Sequence, residues 1–348
     1  MPQIRLRHTL ASPLAALLIV TLLAGCGGTL ALLFKLASVG HLIGNVTDLV
    51  DRFGKSSTEY AVFFDGYPLG QRPDNTGKLD LRGLPAGRHL ISVIDKDYRT
   101  GFHQAVDIVA GDDALQLAGY NPVQGAIISG KVERETSGGG RSQVARTLVI
   151  AVFNGADMLR TNGGRTMTIP PSEVSSEYIM GYTDSTGAYR LGPARYGTWL
   201  VTTALPGHYG DARVVVTSGT GDSRNQNLLL APQQANPTGT MSGSVTRSAT
   251  QGIADALVYT NLQEPYQVQL TAQRAAEIAN STGFGMIAQP WFAWTSLGTI
   301  TDASGAYSLS SRMGKQTATA FKYGFRAKSW DGNLGLGVTP MDFDLSPR

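Results

Sequence analysis

The sequence predicts an all-β protein made of tandem β-sandwiches. Three observations predict it. Among 348 residues, 42 glycines, 16 prolines and 13 tyrosines suit short strands and tight turns better than a helical bundle. Alternating apolar runs bounded by turn residues begin after Ser56. A nine-residue turn-and-strand pattern also occurs twice in the second half of the chain.

Length and charge set the outer bounds. A chain of this size, 42% hydrophobic, exceeds what one small core needs, so several domains are expected. Removing a leader containing Arg5 and Arg7 leaves 27 of the 29 basic residues against 26 acidic ones. A nearly neutral chain has no electrostatic footprint for nucleic acid, and no nucleic-acid partner is expected. One cysteine excludes an internal disulfide framework.

The N-terminus gives that cysteine a role. Arg5, Arg7 and His8 precede the apolar run Leu14 to Leu23, and small residues follow, in the order of a secretory signal over 1–25. Leu23-Ala24-Gly25-Cys26 resembles the lipobox of bacterial lipoproteins. That resemblance implies diacylglyceryl transfer to the Cys26 thiol, cleavage before it, palmitate on the mature chain and attachment to a membrane through covalent lipid. Gly27, where lipoproteins of the enterobacterial type carry Asp for inner-membrane retention, implies the outer membrane if the cell has two. An uncleaved span through the apolar residues 27 to 46 is the competing reading. Leu32, Leu36, Val39, Ile43, Val46, Val50 and Phe53 recur at steps of four and three, which predicts an amphipathic helix over 29–53, within a lipid-anchored stalk over 26–55. Its apolar stripe is left to lie on the bilayer, pair with another copy or pack on the next domain, and Gly40 and Gly44 argue against a long coiled coil.

A small β-domain is expected over 56–120. Tyr60 to Phe64 leads into an Asp65-Gly66 turn, and Gly83-Leu84-Pro85-Ala86-Gly87-Arg88-His89 leads into the Leu90 to Ile94 strand. These segments resemble the PEGA-type domain of bacterial surface proteins.

The repeat organises the rest. Thr183-Asp184-Ser185-Thr186-Gly187-Ala188-Tyr189-Arg190-Leu191 recurs as Thr301-Asp302-Ala303-Ser304-Gly305-Ala306-Tyr307-Ser308-Leu309, identical at six of nine positions. The aspartates are expected to accept turn hydrogen bonds, and the glycines to take the left-handed conformation. Ser129-Gly130-Lys131-Val132 matches Ser242-Gly243-Ser244-Val245 upstream, which gives a unit of about 115 residues. Residues 232–239 read as the linker. The pattern resembles the carboxypeptidase regulatory-like domain, a transthyretin-like sandwich common as an accessory module in exported bacterial proteins. The resemblance implies two such domains, at 121–231 and 239–348, with insertions at 154–182 and 260–300 that depart from the pattern.

Catalysis is not expected. No histidine is followed three positions later by Glu as a zinc carboxypeptidase requires, no Gly-x-Ser-x-Gly elbow occurs, and Ser137-Gly138-Gly139-Gly140-Arg141 lacks the lysine of a phosphate loop. Asp112-Asp113 and Asp342-Phe343-Asp344 lack an EF-type ligand series, so neither a metal nor a cofactor is expected. Trp291, Phe292 and Trp294 form the one candidate binding feature, either a stacking platform for sugar rings or a partner, or core at one end of the sandwich. Before them, residues 265–280 read as a short amphipathic helix. Two functions remain open: a tethered structural or protein-interaction lipoprotein of the cell envelope, or a carbohydrate-binding surface lipoprotein with a polysaccharide partner.

Overall fold

The computed structural model describes residues 33–348 except 137, 154–158, 163–164, 169–177, 204, 206–207, 219–220, 233–237, 262–270 and 280–295. The sequence expectations for the signal, for Cys26 and for Trp291, Phe292 and Trp294 fall outside the described residues. Described strands build three β-sandwich modules on one plan. In each module the opening strand, Val39–Asn45, Ala126–Glu135 or Thr238–Arg247, occupies the centre of one sheet. It pairs antiparallel with Lys78–Pro85, Ala188–Ala194 or Ala306–Arg312. On its other side it pairs parallel with a closing strand, Ala114–Leu117, Leu228–Pro232, or Gly337–Pro340 with Phe343–Asp344.

The facing sheets also correspond. Tyr60–Phe64, Gly87–Asp95 and Thr100–Ile108 run antiparallel in the first module, as do Leu148–Phe153, Gly197–Thr203 and Asp211–Thr217 in the second. Leu257–Asn261, Gly314–Phe321 and Lys328–Leu334 repeat the arrangement in the third. The two insertions each return a strand to this sheet, Tyr178–Tyr182 and Ser296–Ile300. The expected helix within 265–280 is present as Ala272–Ala279, here α2.

One turn recurs three times, not twice. Asp184 Oδ1 accepts bonds from the Thr186 N–H and hydroxyl and the Ala188 N–H, and Asp302 Oδ1 does the same with Ser304 and Ala306. Asp74 Oδ1 repeats the set with Thr76 and Lys78. Gly77, Gly187 and Gly305 follow at φ of 78°, 75° and 83°, where a Cβ would be strained. Hydrogen bonds from Thr76 and Ser304 hold the Asp74 and Asp302 carboxyls below the usual range, since each bond favours the charged form. At Asp184 partial burial opposes the same bonds, and the bonds prevail. In the two later copies a buried threonine, Thr183 or Thr301, ties the turn to the segment just before the Leu148 or Leu257 strand, bonding Val144 and Thr147 or Ile253 and Ala256.

The expected helix over 29–53, and with it the stalk over 26–55, does not match the described residues. Leu33–Leu36 and Val39–Asn45 are strands, and only Thr47–Phe53, here α1, is helical, closed by Gly54 in the left-handed conformation. Along Val39–Asn45 burial alternates, with Gly40, Leu42 and Gly44 buried. A Cβ on Gly40 would stand 2.1 Å from the Val109 carbonyl oxygen and one on Gly44 would stand 3.0 Å from Leu117 Cβ, so close packing within the sandwich claims both glycines. The first module therefore opens at Val39, inside the segment assigned to the stalk.

Leu33–Leu36 does not join that first module. It adds an edge strand to the third, facing Asp331 to Lys328, and the Ala37 N–H continues the contact to Ala327 O. Modules one and three also share one core: Val62, Phe64, Tyr67, Val93 and Phe102 pack in the same cluster as Leu257, Tyr259, Phe321 and Ala327. The Phe321 ring lies 5.3 Å from Phe64 and 6.5 Å from Tyr67. Module two keeps its own core around Ile128, Val149, Trp199 and Leu228.

Candidate functional site

The three modules meet around a buried acid–imidazole pair. Asp65 sits at the tip of the Tyr60–Phe64 strand with φ of 48°, and its Oδ1 accepts the Leu90 N–H at 2.8 Å. His89, two residues into the facing strand, places Nδ1 2.7 Å from Asp65 Oδ2. Its ring stacks at 4.3 Å on Phe64 and meets Tyr259 of the third module edge-on at 6.4 Å. From the second module, Tyr178 and Tyr182 feel the Asp65 charge. Burial, with Asp65 adding to it, pushes the hydroxyls of Tyr182 and Tyr259 well above the ordinary phenol range.

An Asp–His pair orients an imidazole for base catalysis only where the second ring nitrogen reaches a reacting group. His89 Nε2 is buried without a hydrogen-bond partner, and the residue is 6% exposed. Two other histidines sit in polar contacts. His41 Nε2 lies 2.9 Å from Asp80, and His103 Nδ1 lies 2.8 Å from the Ser92 hydroxyl, with burial lowering its pKa to about 4.

The acidic clusters singled out in the sequence turn toward their own backbone. Asp342 Oδ1 accepts the Ser244 N–H and hydroxyl at 2.7 and 2.8 Å, and Asp344 Oδ1 accepts the Ala249 N–H. Asn227 does for Lys131 in module two what Asp342 does for Ser244 in module three. Asp112 presents its carbonyl oxygen to His41 at 3.4 Å. No group of three His, Cys, Asp or Glu side chains placed to hold a metal ion occurs among the described residues.

A second buried carboxylate joins modules two and three. Asp211 stands at the start of the Asp211–Thr217 strand, where Arg274 of α2 places Nε 2.6 Å from its Oδ1. The Leu229 and Ala212 N–H groups complete its partners at 2.7 and 2.9 Å. Burial raises the Asp211 pKa despite those donors. Sequence reasoning had no means of finding this pair, because its members lie 63 positions apart and neither belongs to a motif.

Two clefts lie at module boundaries. The larger, about 320 Å³, is lined by Arg134, Arg146 and His208 on one wall and Thr299, Ser308 and Ser310 on the other, with no acid among its lining residues. The smaller, about 240 Å³, lies between modules one and two beside Phe63, Tyr98 and Met180, and the Arg190 guanidinium covers the Tyr98 ring at 4.7 Å. No helix among the described residues is long and apolar enough to cross a membrane.

No protein-family model and no curated protein matches the chain. Among solved structures it is similar to the Bacillus anthracis TIE protein, at 11% identity and a TM-score of 0.21. The match covers 88% of this chain and 51% of that one, so the chain spans about half the length of that structure. It is also similar to GBS52, the minor pilin of Streptococcus agalactiae, at 11% identity and a TM-score of 0.22 over 64% of this chain and 97% of that one. A candidate carbohydrate-binding protein from Pseudomonas aeruginosa matches at 16% identity and a TM-score of 0.22, over 31% of this chain and 88% of that one. Overlaps at these scores transfer no ligand, partner or assembly mode to this chain.

Proposed function

We propose that the chain is a non-catalytic, lipid-anchored protein of the cell envelope whose packed β-modules act as a structural or protein-interaction unit. The observation that carries the reading is where its buried ionisable groups point. Asp65 is bonded to His89 and the Leu90 amide, Asp211 to Arg274 and two amides, and Asp95 to Lys55 and Thr100. In each case a charge that chemistry could use is held by the protein's own frame. Anchoring rests on the N-terminal order of basic residues, apolar run and Leu23-Ala24-Gly25-Cys26. Two or three acyl chains at ~0.8 kcal/mol per buried CH₂ hold a chain on a bilayer essentially permanently.

Metabolic labelling with palmitate tests the anchor. The native chain is expected to take up label and to be cleaved before Cys26, while Cys26→Ser stays a full-length, unlabelled precursor. Label on Cys26→Ser would refute the assignment. Hydrolytic turnover by the purified chain on peptide, ester or glycoside panels would refute the non-catalytic reading.

A further inference from the structure

We propose that one end of the third module, carrying Met313, Leu336 and Val338, is a lipid-docking tip that lies against the bilayer to which Cys26 is attached. The inference rests on the lipid anchor proposed above and adds to it an orientation and a second point of membrane contact.

Strand registers bring the three side chains to one end. Gly314 faces Leu334, Thr238 faces Arg312, and Gly337 and Val338 face Gly239 and Thr240. The chain on either side of the Gly314 to Leu334 pair therefore runs out at the same edge. There Leu336 is 78% exposed, Val338 69% and Met313 41%, three of the seven large exposed hydrophobics among the described residues. The stretch that carries two of them, Gly335-Leu336 and the first two residues of the Gly337–Pro340 strand, is exposed throughout. Apolar side chains this exposed at one end of the sheets add little burial to their own module, and exposed apolar patches mark contact surfaces.

Chain length and charge identify the occupant. Leu33 faces Asp331, and the strand from Leu36 back to Leu33 runs toward the Leu334 end, hence toward the tip. Seven peptide steps join Cys26 to Leu33, a reach of at most ~25 Å. A diacylated Cys26 therefore holds Leu33, on the strand that runs toward this end of the module, within that distance of the membrane surface. Residues 312–316 and 332–340 contain Arg312 and Lys315 and no acid. An exposed apolar stretch whose flanking chain carries basic residues and no acid matches the interfacial region of a bilayer containing anionic lipid. Val109 supplies an internal reference. It is 71% exposed, yet its carbonyl lies against Gly40, beyond the opposite end of the Leu33–Leu36 strand.

Cys26 is the only cysteine, so once lipidated it leaves an introduced thiol as the unique labelling site. Leu336→Cys and Val109→Cys are made separately in the full chain, labelled with an environment-sensitive fluorophore, and reconstituted in phosphatidylethanolamine–phosphatidylglycerol vesicles. A matched set of vesicles carries a doxyl-lipid quencher. The probe at 336 is expected to shift to the blue and lose emission with doxyl lipid, while the probe at 109 stays water-like. With a probe at Met313→Cys, adding Leu336→Asp and Val338→Asp is expected to abolish the quenching without moving the melting temperature. Flotation with the vesicles but a water-like probe at 336, or equal quenching at 109, overturns the docking tip and leaves the anchor standing. A chain that neither floats nor carries palmitate overturns the anchor itself and the tip with it.

Discussion

Arg274→Met breaks the contact that fastens α2 of the third module to the edge strand of the second, together with the same guanidinium's surface pairing with Glu277 on α2. The guanidinium is 2.6 Å from Asp211, whose side chain is 3% exposed. Removing one partner of a buried pair costs about 3–5 kcal/mol, because the remaining charge is left without compensation. Two amide donors still reach Asp211, at 2.7 and 2.9 Å, and Arg274 itself is 20% exposed, so a loss of about 2–3 kcal/mol at neutral pH is expected. The pH dependence gives the reasoning its sharper test. Burial already lifts the folded-state pKa of Asp211 above its ordinary value. Stability from this group is therefore greatest at low pH and declines as pH rises through the folded pKa. Without Arg274 that pKa rises further, so the variant's deficit opens with rising pH and is largest at neutral pH. Urea denaturation of both proteins, near neutral pH and at about pH 4, reads the difference. A deficit that is equal at the two pH values, or below about 0.5 kcal/mol at neutral pH, would refute the buried-pair account.

Other perturbations address the turn, the shared core and a buried imidazole. Gly305→Ala places a Cβ 2.5 Å from the Val245 carbonyl oxygen at φ of 83°, and is expected to cost about 1–3 kcal/mol by thermal melting. Gly54→Ala, with φ of 65° and nothing within 4 Å, is expected to cost only the ~1 kcal/mol of backbone strain. Phe321→Ala removes a fully buried ring between modules one and three, for an expected loss of about 3–5 kcal/mol in denaturant titration. His103 is lowered by burial from 6.5 to about 4, so the unfolded chain takes a proton that the folded one refuses. Stability is expected to fall as pH drops from 6.5 toward 4, by no more than about 3 kcal/mol, and His103→Gln is expected to flatten that slope.

The repeat was legible because a turn that needs an acceptor, a hydroxyl and a left-handed glycine at fixed offsets writes those residues into the sequence. Its third copy, Asp74-Asn75-Thr76-Gly77-Lys78-Leu79, keeps every turn residue but replaces the following tyrosine with leucine, so it lacks the Asp-Gly-Tyr signature that marks the other two. Gly87, Gly197 and Gly314, each at positive φ as the first residue of its strand, mark a second position common to the three modules. The strand that stands where a helix is expected has a different cause. Apolar steps of four and three along 32–53 fit a helical stripe, but Val39–Asn45 is held by strands whose partners lie 33 or more residues away. Local spacing does not encode such pairing. Nor does it encode the polar meeting point, because Asp65 and His89 come from module one, Tyr182 from module two and Tyr259 from module three.

The central claim is that modules one and three are one cooperative body, clasped by Leu33–Leu36 and joined through Phe64, Tyr259 and Phe321, and not independent beads on a string. Native-state hydrogen exchange at increasing urea, read by mass spectrometry on peptides spanning Tyr60–Phe64 and Gly314–Phe321, tests it most directly. The shared core predicts that both peptides exchange through one opening with the same free energy and the same urea dependence. Separate isotherms, with the third module opening while the first stays protected, would contradict it.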